Sequence, residues 1–387
     1  MEGVGGALAG KIQTVQGVRD PQEFTAPILP HEHLLIDFNV AYCPQSHDPV
    51  VGGSVTQALC CTSFAATEAP SSSSEDSPLE AEFTLQSIGY VRYQPYSHRA
   101  NLKLEDLALA IKEVNLFKKA GGQTIVDATT QGIARNPDAL LKISQETGVH
   151  IVMGAGYYVG ATHPSSMDGM TEEELCKIMV DEVLEGLGEN KVKCGVIGEI
   201  GCSYPLYPNE IKVLKAAAKA QQITGAPLLI HPGRHEYAPI EIVKILQEAG
   251  ADITRTAMSH LDRTVFKEET LMELAKTGIY LEYDLFGVEC SFYQLNEKVD
   301  MPSDAERIHW LLLLKQAGYL DRILLAHDIH TKHRLVEYGG HGYAHLLVNV
   351  AEKMEKRGFT LEELRTMFVA NPRRFLTFAT PSSATAK

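Results

Sequence analysis

The chain has 387 residues, a formal charge of −14 and 44% hydrophobic content, the composition of an ordinary globular protein. An acidic balance with no basic cluster argues against nucleic acid or anionic membrane surfaces as partners. No apolar run approaches the roughly 20 residues that span a bilayer, and residues 1–10 lack the charged and apolar regions of a signal peptide. The seven cysteines, Cys43, Cys60, Cys61, Cys176, Cys194, Cys202 and Cys290, are odd in number and show no CxxC spacing. They read as reduced thiols of a cytosolic protein. Cys194 and Cys202 bracket a strand described below and read as small core residues.

In chain order, residues 1–25 read as a small β extension built on Ile12 to Val18, and the run ending in Pro30-His31-Glu32-His33-Leu34 reads as a first strand. Residues 44–97 are an insertion whose centre, Ser71 to Ser77, is low-complexity and expected to stay disordered. Leu104, Leu107, Ile111, Val114 and Leu116 recur at helical spacing until Gly121-Gly122. Seven further β-type runs follow, at 124–128, 150–154, 195–199, 227–231, 256–260, 279–283 and 322–328. Helical patterns separate them, around 140–146, 213–217, 242–246, 271–275 and 308–314. A capping box at Thr171 to Glu174 opens one more, expected to run through Leu187. Eight strands alternating with helices predict an α/β protein, a (β/α)₈ TIM barrel, with residues 1–387 forming one domain.

In such a barrel the C-terminal strand ends form one rim where catalytic groups meet. His31 and His33 lie at the first strand end, Glu199 at the fourth, His231 at the fifth, His260 at the sixth and Asp328 at the eighth. Imidazoles and carboxylates suit zinc, and manganese or cobalt as well. The set is too large for one four-coordinate catalytic ion. It therefore predicts two divalent ions: His31 and His33 on one, His231 and His260 on the other, Glu199 bridging. Asp328 is the expected ligand and proton acceptor for a metal-activated hydroxide. His327 points to the opposite face of its strand. Arg234, three residues past His231, is a candidate for pairing bidentately with a carboxylate or sulfonate, and Tyr157 and Tyr158 are candidates for an aromatic wall.

The ordered set of His-x-His, acid, His, His and Asp resembles the amidohydrolase superfamily. Pro30-His31-Glu32-His33-Leu34, Gly198-Glu199-Ile200-Gly201, Ser259-His260-Leu261-Asp262 and the late Asn371-Pro372 beside Phe375-Leu376 resemble its phosphotriesterase branch. Ile230 to Arg234, Ala326 to Lys332 and Tyr338 to Tyr343 are similar to the phosphotriesterase-related proteins of animals. The resemblance spans nearly the whole chain outside 44–97 and the final tail. It implies hydrolysis of small N-acyl amino acids, with N-acetyltaurine, the acetyl amide of taurine, as the characteristic substrate. Phosphotriesterases bridge their metals with a carboxylated lysine, whereas Glu199 needs no such modification. A lactonase or phosphotriester hydrolase would use the same metal core. A metal-stabilised binding protein without catalysis would not need Asp328, because a structural ion requires no proton acceptor. A phosphosugar barrel is disfavoured by the lack of a Gly-rich phosphate loop after the last strands.

Overall fold

The computed structural model of the chain describes residues 5–43, 83–85 and 87–382. The Ser-rich centre of the insertion, Cys60 and Cys61 lie outside them. Eight parallel strands stand side by side in chain order: β1 Ile28–Glu32, β2 Thr124–Asp127, β3 His150–Ala155, β4 Val196–Gly201, β5 Leu228–His231, β6 Thr256–Met258, β7 Tyr280–Tyr283 and β8 Ile323–Leu325. The longer helices between them are α1 Leu107–Lys119, α2 Pro137–Thr147, α3 Glu172–Leu184, α4 Pro208–Thr224, α5 Ala238–Glu248, α6 Glu268–Lys276 and α7 Asp304–Gln316, and a short helix, Ile88–Tyr93, precedes α1. The expected (β/α)₈ arrangement is therefore present, and the hairpin Ile12–Thr14 with Gly17–Arg19 is the small N-terminal extension.

The seam between β8 and β1 is drawn together by side-chain chemistry. The Asp328 amide donates to the His31 carbonyl at 3.3 Å. The buried Glu32 carboxylate accepts from the His327 and Ile329 amides at 2.8 and 2.9 Å and meets His327 Nδ1 at 2.7 Å. The middle residue of the His-x-His run thus holds the two ends of the sheet together.

Two helix boundaries differ from expectation. Leu104 belongs to a short strand, Lys103–Leu104, paired with Ile36–Asp37, and α1 starts only at Leu107. Asp106 sets that start by accepting from the Ala108 and Leu109 amides, which satisfies donors a helix leaves open at its N-terminus. The Thr171 capping box forms, but α3 stops at Leu184 and does not reach Leu187. Gly186, with φ 87°, turns the chain there, and a Cβ on it would sit 2.2 Å from the Lys191 carbonyl oxygen.

Alternation along each strand sorts the core in two. Ile28, Val126, Val152, Val196, Leu229, Ala257, Tyr280 and Leu324 fill the barrel interior, with Ile12, Phe24, Phe375 and Leu376 packed on the same cluster. Leu29, Ile125, Ile151, Ile197, Leu228, Met258, Leu281 and Ile323 pack outward with the helices. The late motif belongs to this construction: Asn371 Nδ2 donates to the Leu320 and Ile323 carbonyls, while Phe375 plugs the barrel. Among the described residues no helix is long and apolar enough to cross a membrane.

Candidate metal centre

Above the apolar filling, the strand interiors turn polar. On β5, β7 and β8 the interior series continues in phase: Leu229 to His231, Tyr280 to Glu282 and Asp284, Leu324 to Ala326 and Asp328. On β1, β4 and β6 the functional residue is out of phase and is brought inward by a break in the strand. The pairing register shifts between Leu29 and Glu32 and between Ile197 and Ile200. Gly198 has φ 131°, where a Cβ would meet the Leu229 carbonyl oxygen at 2.2 Å, so this step is open only to glycine. His260 turns inward with φ 55°, and Asp328 holds φ 52°, left-handed backbone that non-glycine residues adopt rarely.

The result gathers all six expected side chains, each buried. Glu199 stands at the centre. Its Oε1 lies 3.4 Å from His33 Nε2, and its Oε2 lies 3.0 Å from His231 Nδ1, 3.4 Å from His260 Nε2 and 3.5 Å from His31 Nε2. Asp328 Oδ1 lies 3.2 Å from His33 Nε2 and 3.8 Å from His31 Nε2. Three overlapping groups could each hold an ion: His31, His33 and Asp328; Glu199, His231 and His260; and His31, His260 and Asp284. The fit is supported by His31 Nε2, a buried atom with no hydrogen-bond partner although two carboxylates face it. A set of imidazoles and carboxylates matches the preferences of a divalent transition ion.

A second tier of residues aims this set, as ligating histidines generally require. His33 Nδ1 meets Thr129 Oγ1 at 2.8 Å, and its carbonyl accepts from the Tyr343 hydroxyl at 2.6 Å. His31 Nδ1 lies 3.1 to 3.3 Å from Ser259 Oγ, Glu282 and Asp284. Asp284 also accepts from the His260 amide and meets His260 Nδ1 at 2.8 Å. Sequence reading missed Glu282 and Asp284. The signal was there: two acids at i and i+2 on a strand share a face, by the same logic that singled out His31 and His33.

Burial opposes the charge on Glu199, but the His231 and His31 rings overcome it and hold the carboxyl well below its usual range. Burial opposes the charge on Asp328 too, and His330 and His33 likewise hold it low. Both carboxylates are therefore ionised at neutral pH. Burial pulls His33 down, but its contacts with Asp328 and Glu199 raise it to about 9. His231 is held well below its ordinary value by burial first, with His260 and Arg263 adding to the effect.

A cavity of about 480 Å³ opens over the cluster and is lined by His33, Glu199, His231, His260 and Asp328 together with Tyr96, Tyr158, Arg234, Arg263, Tyr293, His330 and Arg334. Arg234 and Tyr158 line it as expected, and the Tyr158 hydroxyl lies 3.3 Å from His231 Nδ1. Tyr157 does not line it: its ring packs edge-on to His163, on the other side of an extended stretch. His327 is turned away onto Glu32, whereas His330, His333, His341 and His345 reach the cavity wall. Cys194 and Cys202 are buried and belong to none of the three groups.

The fold and this strand-end cluster define a class. The model of the phosphotriesterase family matches residues 10–376, and the chain belongs to that family. The chain is 47% identical to the N-acetyltaurine hydrolase of Xenopus tropicalis over 373 residues, 96% of this chain and 99% of that protein. It is 45% identical to the human N-acetyltaurine hydrolase over 380 residues, again 96% of this chain and 99% of the relative. Among solved structures, a resiniferatoxin-binding protein from Rhodobacter sphaeroides superposes with a TM-score of 0.84 at 34% identity, over 95% of each chain. The protein is an enzyme, a hydrolase of this family, with side-chain groups able to bind metal.

Proposed function

We propose that the protein is a binuclear metal-dependent amidohydrolase that cleaves small N-acyl amino acids and amino sulfonates, converting N-acetyltaurine to taurine and acetate. One observation carries the reading: Glu199 turns one carboxylate oxygen to His33 and the other to His31, His231 and His260, the disposition of a shared ligand. The name carried by relatives at 45–47% identity over nearly the whole chain supports the substrate. The protein would act in the cytosol as one catalytic domain.

His31 and His33 would hold one divalent ion and His231 and His260 the other, with Glu199 common to both and Asp328 beside the first. Two such ions, zinc by the chemistry of the donors, would supply Lewis acidity to the acyl oxygen and make a water acidic enough to attack. Asp328, ionised and within 3.2 Å of His33, accepts the proton which that water gives up and delivers it to the leaving nitrogen. Arg234 and Tyr158 contact the rest of the substrate from the cavity wall.

The test is acetate release from N-acetyltaurine by zinc-loaded protein, before and after chelation. Turnover that disappears with the metal and returns on its restoration is the expected result. A zinc-replete protein that releases no acetate overturns the substrate assignment, and unchanged turnover after complete metal removal overturns the metal mechanism.

A further inference from the structure

Four arginines line the cavity, and three give at least one terminal guanidinium nitrogen to the protein. Arg92, at the exposed mouth, gives its terminal nitrogen to the Gly339 carbonyl. Arg263 is bound to the Pro232 carbonyl, Thr264 Oγ1 and His231 Nε2. Arg334 is bound to the Asp328 and His327 carbonyls and to His341. Arg234 differs. Its Nε donates to the Tyr293 hydroxyl at 2.7 Å, and among the described residues its two terminal nitrogens have neither a carboxylate nor a carbonyl partner. Arg234 is half-buried, and its two terminal nitrogens, open to the cavity, suit an anion that offers two oxygens side by side.

Tyr293 completes the arrangement. It is buried, its ring centroid lies 5.8 Å from the Arg234 guanidinium carbon, and no described residue accepts its phenol proton. Its loop is pinned across the cavity: Gln294 Oε1 accepts from the Tyr96 amide at 3.0 Å, and Gln294 Nε2 donates to Ser97 Oγ at 2.6 Å. Holding Arg234 by Nε fixes the fork with both terminal nitrogens free, so little freedom is lost when an anion arrives.

We infer that Arg234 and Tyr293 form a clamp for one monoanionic head group, a carboxylate or sulfonate at the end of the substrate remote from the scissile amide, with Tyr293 as the positioning residue. A monoanionic head group pairs with the Arg234 fork, whereas a neutral or cationic head group leaves it unpaired. This inference rests on the amidohydrolase reading for its substrate, but the clamp can be tested without turnover.

Zinc-loaded wild type, Arg234→Met and Tyr293→Phe would be assayed with N-acetyltaurine, N-acetyl-β-alanine and the neutral N-acetylethanolamine, with kcat and KM resolved separately. Calorimetric binding of ethanesulfonate would be measured alongside. A charge-assisted pair is worth about 10- to 100-fold in affinity. Arg234→Met therefore raises KM for both anionic amides by about 100-fold. Tyr293→Phe, which keeps the ring, raises it about 10-fold with kcat nearly unchanged. Both variants lose at least 10-fold less on the neutral amide than on the anionic ones, and ethanesulfonate binding weakens in the same order. Equal losses on anionic and neutral substrates, or unweakened ethanesulfonate binding in Arg234→Met, overturn the clamp. Ethanesulfonate binding that follows this order in a protein that cleaves no amide leaves the clamp standing and overturns the amidohydrolase reading instead.

Discussion

The two ends of the barrel are made by the same eight strands, yet one is filled with Ile12, Phe24, Tyr280 and Phe375 and the other with histidines and carboxylates. At the floor the period of two is kept, and Ile28, Val126, Val152, Val196, Leu229, Ala257, Tyr280 and Leu324 face inward as one apolar layer. At the rim, three of the strands abandon that period to turn His31, Glu199 and His260 inward, and His260 and Asp328 adopt left-handed backbone. Regular pleating maximises apolar packing, whereas convergence of charged groups on one point needs directions that regular pleating does not offer. The floor can hold the rim in such conformations because it is over-determined.

That contrast can be broken first at the rim. Asp328→Asn keeps the shape but removes the proton acceptor, so kcat should fall by about 10²- to 10⁴-fold. Its thermal transition should stay close to that of the wild type, measured beside steady-state kinetics. At the floor the effect should reverse. Phe375→Ala empties a fully buried site and should cost about 3–5 kcal/mol in denaturant unfolding, while kcat per folded molecule is retained.

Glu32 joins the two regions, and its change should affect both. Glu32→Gln sets an amide donor against the Ile329 amide or His327, which the carboxylate now satisfies. A loss of about 1–3 kcal/mol is expected, with hydrogen exchange accelerated more at Ile329 than within β8. Retained protection there would show that the seam does not depend on this carboxylate.

The smallest effect concerns a charge near the rim that the mechanism does not use. Burial opposes ionisation of Asp304, but His345, Arg307 and the Gly287 amide lower its pKa below the ordinary 3.8. A carboxyl depressed in the folded state stabilises at pH values above its unfolded pKa, and that contribution is lost as pH falls through the lower folded value. Asp304→Asn should therefore lower the melting temperature at neutral pH and narrow its gap to the wild type below about pH 4. A gap that widens on acidification would contradict the ion-pair assignment.

Much of this was legible in local patterns. Alternation, helical spacing and the Thr171 capping box report on a few neighbouring residues, which is why eight strands and their helices could be read without the structure. The six expected donors were legible for the same reason: each sits at the end of a recognisable strand. Glu282 and Asp284 were equally local, as two acids on one face, but nothing nearby says that they lie against His31 and His260 from other strands. Tyr157 and Tyr158 could not be separated, because which of two neighbours faces a cavity depends on where the cavity is.

By itself the chain determined its periodicities and its chemistry: which segments are strands, which residue types crown them, and that the middle of the insertion is poor in apolar residues. Only the tertiary structure decided the phase breaks that aim His31, Glu199 and His260, since a register shift is a relation between two strands and not a property of either. It also decided the meetings of distant residues, Glu32 with His327 across the seam and Arg234 with Tyr293 across the cavity. Such contacts arise from closure of the barrel, and no periodicity within one segment encodes a partner that closure brings from another.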